Sequence, residues 1–536
     1  MGEIEHVIMR SGMYIGSIRE EEKDFFVYSV DNAQMSWEPI KYVPGILKII
    51  DEVISNSCDE YRRPNNMGLS KVTVTVDNSG FVKITDNGGI PVVMHQDAGV
   101  YVPEFIFGQL RTSSNYNDSE DRDVIGTNGI GSKIASIFAT KFYVYTADGN
   151  KSYSRSWSNN MRNLDDNLVV KDCKRHFTEI SFNIDFDKFD DVTSLSDGFI
   201  NIIEKRCIDA AAANTGLEVT FIHTNNGEEV RNIKWKFKKF EEYIELYNNY
   251  IDKDNVVSFS DNQKSVWIYP DGNINIGFVN GAECSEGTHI RAVRNEINQS
   301  VHDYILAKHK TDIGLARNVD NKYSMFCTFH VTNPAYSSQT KECLTTPVER
   351  FSIDENYKFE VPTKFLNQIN KSELVNIVLD WYKQKLEVED QKTLRKLNKQ
   401  AKTKMRNNDK FIDANSRKTK DRELWIFEGD SARAGFRQAR NPQTQAAYML
   451  RGVILNVLGL SPTKIMANKE LSDLITILGL QWGQKNDVEK LNFGKIVIAT
   501  DADYDGSKIA GLLLTFFNLF PELYEAKMIC RSISPI

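Results

Sequence analysis

Three groups of residues have types and spacings suited to chemistry. Glu52, Asn56, Asp59 and Glu60 fall at i, i+4, i+7 and i+8, so on a helix they form one polar stripe. A solvated helix face is the plain alternative, but glycine-rich segments downstream weigh against it. TDNGGIP (85–91) sets Asp86 before Gly88 and Gly89, and GTNGIGSK (126–133) runs into the apolar stretch IASIFA. Glycines in such places let backbone N–H groups approach phosphates, and a helix N-terminus favours their charge. A dinucleotide-binding βαβ unit would need a strand before the second glycine segment, where the polar loop SSNYNDSEDRD stands instead. The second group centres on Lys341 in YSSQTK (336–341), a compact cation for a phosphate if it is more than a surface loop. The third comprises Glu428 in FEGDSA (427–432) and Asp501, Asp503 and Asp505 in ATDADYDGS (499–507). Each segment follows an apolar run, so the acids converge at the carboxyl ends of strands, where open α/β sheets place ligands. Crowded carboxylates require a cation, and Mg²⁺ suits hard oxygen donors. An EF-hand calcium loop would need a glutamate at its twelfth position, which is Leu512.

These residues need elements to hold them. Pro44-Gly45 opens an amphipathic helix, ILKIIDEVISNSCDEYRR, that stops before Pro64. Ile46, Leu47, Ile49, Ile50, Val53 and Ile54 make its buried face and leave Glu52 on the opposite stripe. KVTVTV and FVKIT alternate with the period of half-buried strands around a turn at Asp77-Asn78-Ser79-Gly80, so Asp86 ends a strand. VWIYP and MFCTFHV are strands of a second mixed segment. The last segment alternates apolar strands with helices, the pattern of a parallel sheet.

The 536 residues exceed one core and predict about three domains. A net charge of −7 excludes whole-surface attraction to nucleic acid, so any such contact must be local. One local excess exists: twelve Lys or Arg against three Asp or Glu from Gln391 to Arg422. Seven scattered cysteines form no Cys-x-x-Cys pair, which gives no zinc motif and suits a reducing cytosol. No apolar run of about 18 residues and no basic-then-apolar leader is present, so neither a membrane span nor export is expected.

The first motifs together resemble the GHKL ATPases: gyrase, Hsp90, MutL and histidine kinases. The likeness to type IIA DNA topoisomerases is closer. RSGMYIGS, YVPGILKIIDEVISNSCDE, FGQLRTSSNY and GTNGIGSKIASIF are similar to the eukaryotic and phage branches, and EGDSA…DADYDGS resembles their TOPRIM domain. This resemblance implies Glu52 as general base on the attacking water and Asn56 as holder of a Mg²⁺ on the triphosphate of ATP. Asp86 and Gly88 would lie beside the adenine, as would Thr178 in RHFTEISF. Ser113, Ser114 and Asn115 correspond to a ribose-side loop. Gly126, Thr127, Asn128, Gly129, Ile130, Gly131, Ser132 and Lys133 correspond to the phosphate lid. Gln339, Thr340 and Lys341 correspond to the transducer loop whose lysine reaches the γ-phosphate, with VNGAECSEGTHI (279–290) ahead of it. Glu428, Asp501 and Asp503 would hold Mg²⁺ beside a scissile DNA phosphate, with Asp505 assisting. The chain departs from the family at Asp86-Asn87-Gly88-Gly89, one residue short of D-x-G-x-G, and at Val453 and Lys508, where lysine and histidine are usual.

The implied fold is multidomain, α+β and α/β. A GHKL (Bergerat) ATPase sandwich would span 1–235 and a ribosomal S5-like transducer 236–385. A basic helical linker would follow over 386–420, then a TOPRIM parallel-sheet domain over 421–536 that ends inside or just after its core. The implied activity is ATP-driven passage of double-stranded DNA through a transient break, by a homodimer closed through its ATPase domains. None of the 21 tyrosines stands in a Pro-x-x-Arg-Tyr context. The attacking tyrosine is therefore expected on a separate breakage-reunion subunit, as with a phage T-even-type large subunit, or in a region this sequence lacks. Relaxation and decatenation, rather than negative supercoiling, are expected, in a cytoplasm (the host's if phage-encoded). The alternative is a GHKL clamp without DNA-breakage activity, which would have no use for the TOPRIM acids.

Overall fold

The computed structural model describes residues 2–109, 131–338, 341–352, 354, 357–404, 409–429, 431–482 and 485–532, the side chains of 132, 390–391, 393–404 and 431–433 aside. The chain divides into two compact units, Met1–Leu379 and Asp380–Ile536.

In the first unit a helix spans Pro44–Arg62, with proline at its first position, where the missing N–H costs nothing. It buries Ile46, Ile49, Ile50, Val53 and Ile54, while Leu47 stays partly exposed. Arg63, before Pro64, is extended (φ −67°, ψ 141°) and ends it. The strands Lys71–Asp77 and Phe81–Asp86 alternate in burial along their length, as a sheet with one covered face requires. Among the described residues they belong to a nine-stranded sheet. Its order is Glu228–Trp235, Glu218–Asn225, Lys71–Asp77, Phe81–Asp86, His176–Ile184, Ala139–Asp148, Lys151–Ser158, with the short strands Asn163–Leu164 and Val169–Asp172 on the last. Every pairing is antiparallel except Lys71–Asp77 with Glu218–Asn225. A parallel neighbour requires a crossover, and the chain enters that strand from the helix Asp197–Ala213, capped by Ser196. This helix and the short helix Gly131–Ile137 both pack on Pro44–Arg62, so the polar stripe of that helix meets other elements instead of water.

Farther along the same unit, Tyr323–Phe329 lies antiparallel to Lys264–Pro270 and parallel to Asn275–Val279, the register breaking between Asp271 and Asn275. Val257–Ser260 and Ala282–Glu283 complete that sheet, and the helix Thr288–Tyr304 follows. Glu286–Gly287 pairs in parallel with Cys343–Leu344, which anchors the chain just after Lys341. Gly287 is required there: its φ is 129°, and an added Cβ would lie 2.5 Å from Leu344 N.

In the second unit a five-stranded sheet runs Phe411–Ile412, Gln445–Leu450, Glu423–Glu428, Lys495–Ala499, Ile529–Arg531 among the described residues. Four strands are parallel, but the edge strand Phe411–Ile412 is antiparallel, which departs from the purely parallel pattern expected. At two residues it is too short to carry a readable periodicity. Its core packs Leu424, Ile426, Tyr448, Ile496 and Ile498 under Ile509, Leu513 and Phe516. No helix among the described residues is long and apolar enough to cross a membrane.

Candidate functional site

Glu52, 4% exposed, stands midway along the Pro44–Arg62 helix. Its Oε1 takes two ammonium groups, Lys48 Nζ at 2.5 Å and Lys341 Nζ at 3.3 Å. Lys48 lies one turn earlier on the same helix, whereas Lys341 is 289 residues away in sequence. Burial alone would raise the Glu52 pKa, but Lys48 and then Lys341 outweigh it and hold the carboxyl below its usual range. The other oxygen, Oε2, faces Gly131, where an added Cβ would lie only 1.9 Å from it. Behind Lys48, Asp51 pairs with Arg206 of the Asp197–Ala213 helix and lies 3.9 Å from Lys48 Nζ. Arg206 also donates to Ser55 Oγ at 3.3 Å. Asn56 follows Glu52 by one turn and is partly buried. Lys133 is 1% exposed, and burial draws its pKa down to about 8.

Asp86 ends its strand directly opposite Thr178. Its carboxylate accepts the Ser57 hydroxyl at 2.9 Å and the Gly88 N–H at 3.0 Å. The Thr178 and Thr146 hydroxyls lie 3.1 Å apart beside it. Burial pushes the Asp86 pKa up to about 6 against the pull of these hydrogen bonds. Asn87, within the motif that is one residue short of the family pattern, holds this turn by accepting the Ser70 and Lys71 N–H groups at 2.8 Å each. Gly89 leaves no room for a side chain: a Cβ would lie 2.4 Å from the Ala147 carbonyl oxygen. The result is a buried acceptor flanked by hydroxyls and bare backbone, suited to a flat polar ring. The helix carrying Glu52 also supplies Ser57 to this corner.

Ser113, Ser114, Asn115, Gly126, Thr127, Asn128, Gly129, Ile130, Gln339 and Thr340 lie outside the described residues, as does the side chain of Ser132. The described part of the site thus brings together Glu52, Gly131 and Lys341 at one place and Asp86, Gly88 and Thr178 at another.

In the second unit, Glu428 is the last residue of its strand, and Asp501, Asp503 and Asp505 follow the end of the adjacent strand Lys495–Ala499. Asp503 caps the helix Tyr504–Phe517 by accepting the Gly506 N–H at 2.7 Å. A Cβ at Gly506 would lie 2.2 Å from the Asp501 carbonyl oxygen, so the turn closes only around glycine. The Glu428 pKa is raised, first by burial and then by Asp503, Asp501 and Asp505. Glu428 Oε2 and Thr500 Oγ1 are buried without a protein partner. Among the described residues no three His, Cys, Asp or Glu side chains stand at metal-ligand spacing. A repelling set of carboxylates with one unpartnered oxygen fits a hard divalent cation by donor type.

A family model described as Toprim domain matches residues 423–534, and one described as DNA gyrase B matches 239–397. DNA topoisomerase 2 of Arabidopsis thaliana is 32% identical over 557 residues, covering 100% of this chain and 36% of that protein. The Pisum sativum enzyme is 33% identical over 539 residues, covering 97% and 35%. Among solved structures, the ATPase and transducer domains of DNA topoisomerase II from Balamuthia mandrillaris are 30% identical with a TM-score of 0.63, covering 72% of this chain and 98% of that one. The chain belongs to the type IIA DNA topoisomerase family. The ATPase region of Saccharomyces cerevisiae topoisomerase II agrees, at 28% identity and a TM-score of 0.62. The chain spans little more than a third of the length of the curated topoisomerases it matches. Its mixed sheets and parallel-sheet unit fit the GHKL, transducer and TOPRIM layout of that family.

Within this topoisomerase-family pocket, sequence reasoning passed over Lys48, Ser57, Thr146 and Arg206. Lys48 carried a legible signal, an acid four residues on at helical spacing, but it stood among the apolar residues of the helix's first turns. Ser57 shares that helix without pointing along the Glu52 stripe. Thr146 and Arg206 come from elements remote in sequence and carried none.

Proposed function

We propose that this chain is the nucleotide-hydrolysing and cleavage-metal portion of a type IIA DNA topoisomerase. ATP binds in the first unit, with adenine at Asp86, Gly88 and Thr178 and phosphates at Gly126–Lys133. Glu52 is the general base: it takes a proton from water as the water oxygen bonds the terminal phosphorus and the bond to the ADP oxygen breaks. Asn56 holds the Mg²⁺ of the nucleotide, and Gln339, Thr340 and Lys341 meet the terminal phosphate. The observation carrying this reading is the convergence of Lys341, from 289 residues away, on the same oxygen of Glu52 that Lys48 holds. A lysine within 3.3 Å of the base is within reach of the anion that base acts upon.

In the second unit Glu428, Asp501 and Asp503, with Asp505 assisting, would hold Mg²⁺, which supplies charge stabilisation at a scissile DNA phosphate. The attacking tyrosine belongs to a breakage-reunion subunit or region, and two copies of the chain close as a dimer around one duplex. The domain limits 1–235, 236–385, 386–420 and 421–536 are part of this proposal, as is action in a cytoplasm, the host's for a phage enzyme.

The test is unlinking of catenated plasmid with ATP and Mg²⁺, by the chain alone and with a tyrosine-bearing subunit from the same genome. Activity is expected only with the partner. Glu52→Ala should bind nucleotide yet lose about 10²–10⁴-fold in hydrolysis, the usual worth of a general base. Asp501→Ala should spare hydrolysis and abolish cleavage. Undiminished turnover by Glu52→Ala would remove the base, and hydrolysis with no unlinking in any combination would leave a clamp that never cuts.

A further inference from the structure

Lys341 stands 289 residues from Glu52 in sequence, so folded contacts set where its ammonium arrives. The foot of its loop is short. Tyr336 bridges Leu344, the Ser337 N–H donates to the Cys343 carbonyl at 3.0 Å, and Cys343–Leu344 pairs with Glu286–Gly287. The Cys284 thiol donates to the Glu342 carbonyl, beside Lys341, at 3.4 Å. Segment 284–287 therefore carries the loop, and it continues directly from the strand Ala282–Glu283. That strand turns back on Lys264–Val279 through Asn280-Gly281, whose φ values are 49° and 80°. Two residue pairs, Phe278 with Glu283 and Val279 with Ala282, hold it, and so short a hairpin is marginal by itself.

Its outer support comes from the elements around Glu52. An added Cβ on Gly281 would fall on the guanidinium of Arg62, the last residue of the Pro44–Arg62 helix. Lys205 Nζ, on the Asp197–Ala213 helix, lies 3.8 Å from Glu283 Oε2. The next residue, Arg206, pairs with Asp51, which precedes Glu52. These contacts close a ring, from Glu52 through Lys341 and Cys284 to Glu283, and back through Lys205 and Asp51.

Lys205 does not need Glu283 for its own sake. Asp209, one turn on in the same helix and fully buried, takes its ammonium on both oxygens at 2.7 and 2.6 Å. A second carboxylate there has a cost: burial raises the Asp209 pKa against the pull of Lys205, and Glu283 raises it further. The Glu283 side chain is 43% exposed, and ion pairs open to water contribute little stability. What Glu283 adds is a tether between the strand that carries the loop and the helix braced on Asp51.

Resting on the reading of Lys341 as the lysine that meets the terminal phosphate, we propose that Glu283 is its positioning residue. Glu283 touches neither nucleotide nor Lys341. It acts through the short return strand, holding Cys284 and the loop foot where Lys341 can span to Glu52 or to a phosphate beside it. A misplacement of about 1 Å costs on the order of 10²-fold in rate, and with Arg62 still in place the loss of Glu283 should cost less, about 5–20-fold.

The test is a cycle in the full chain: wild type, E283Q, E283D, K341M and E283Q/K341M, each with kcat for ATP, Kd for ADP and thermal melting. E283Q keeps the shape and leaves Lys205 on Asp209, so it should melt as wild type does. Its kcat should fall about 5–20-fold. E283D, which keeps the charge on a shorter arm, should lose less. ADP lacks the terminal phosphate, so its Kd should stay within about twofold of wild type throughout, since a ligand reads only the contacts it makes. In the K341M background, adding E283Q should change the residual rate by less than about twofold, because a residue acting through another is non-additive with it. Unchanged kcat in E283Q, a matching loss of ADP affinity, or an equal loss with and without Lys341 overturns the proposal. Wild-type turnover by K341M would instead overturn the reading of Lys341, so the two failures read separately.

Discussion

A buried carboxyl that must accept a hydrogen bond is sensitive to pH, and Asp86 is placed for that. Its pKa of about 6, raised by burial, lies above the unfolded value near 3.9. The folded state therefore binds the extra proton between roughly pH 4 and 6. Stability tied to Asp86 is full below that window and is lost as pH rises through 6. The proposed adenine contact runs the other way, because only the ionised form accepts freely from an amino group. Affinity for a non-hydrolysable ATP analogue should fall as pH drops below about 6, approaching tenfold per unit for a single proton. Titration calorimetry from about pH 8 to pH 5 reads this, and a flat profile would remove Asp86 from the adenine contact. Ser57→Ala, which deletes a donor to the ionised form, should move the midpoint upward.

At the scale of elements, the closeness of two helices fixes one position tightly. The Gly131–Ile137 helix begins against the Glu52 carboxylate, so Gly131→Ala places a methyl where Oε2 stands. Alanine favours a helix by about 0.5–1 kcal/mol over glycine, and the atom it meets is the end of a flexible side chain, so the fold should survive. Turnover should not: on the proposed reading of Glu52, kcat is expected to fall about 10²-fold. Melting temperature and kcat measured together check this, and a lowered melting temperature at full turnover would contradict it. The same elements explain what was legible beforehand. The Pro44–Arg62 helix and the strands Lys71–Asp77 and Phe81–Asp86 were readable because one covered face imposes a period. Glu52 sat on the polar stripe of that helix, and Asp86 and Glu428 each ended a strand. Arg206 on Asp51, 155 residues apart, left no local trace, since cross-element ion pairs have no period. The antiparallel edge at Phe411–Ile412 was too short to read.

At the scale of the molecule, two compact units carry the two groups of site residues, Glu52 and Asp86 in one and Glu428 and Asp501 in the other. The helix Leu374–Lys404 crosses the division at Leu379–Asp380, so a cut there would sever a helix. Residues 1–404 expressed alone should fold and bind nucleotide, as the separately solved ATPase and transducer domains of the Balamuthia relative suggest. Cooperative melting with a nucleotide-dependent upward shift would bear this out, and an unfolded fragment would tie the first unit to the second. The pairing of Glu52 with Lys341 also has a consequence in time. A ribosome makes about 5–20 residues per second, so some 17–70 seconds separate the first residue from Lys341. Until that point the chain can contain Glu52 and Lys48 but no lysine from the later loop. On the proposed reading of Lys341, nucleotide sensing is thus acquired late in synthesis, and a chain stalled before residue 341 would carry a pocket that cannot report what it holds.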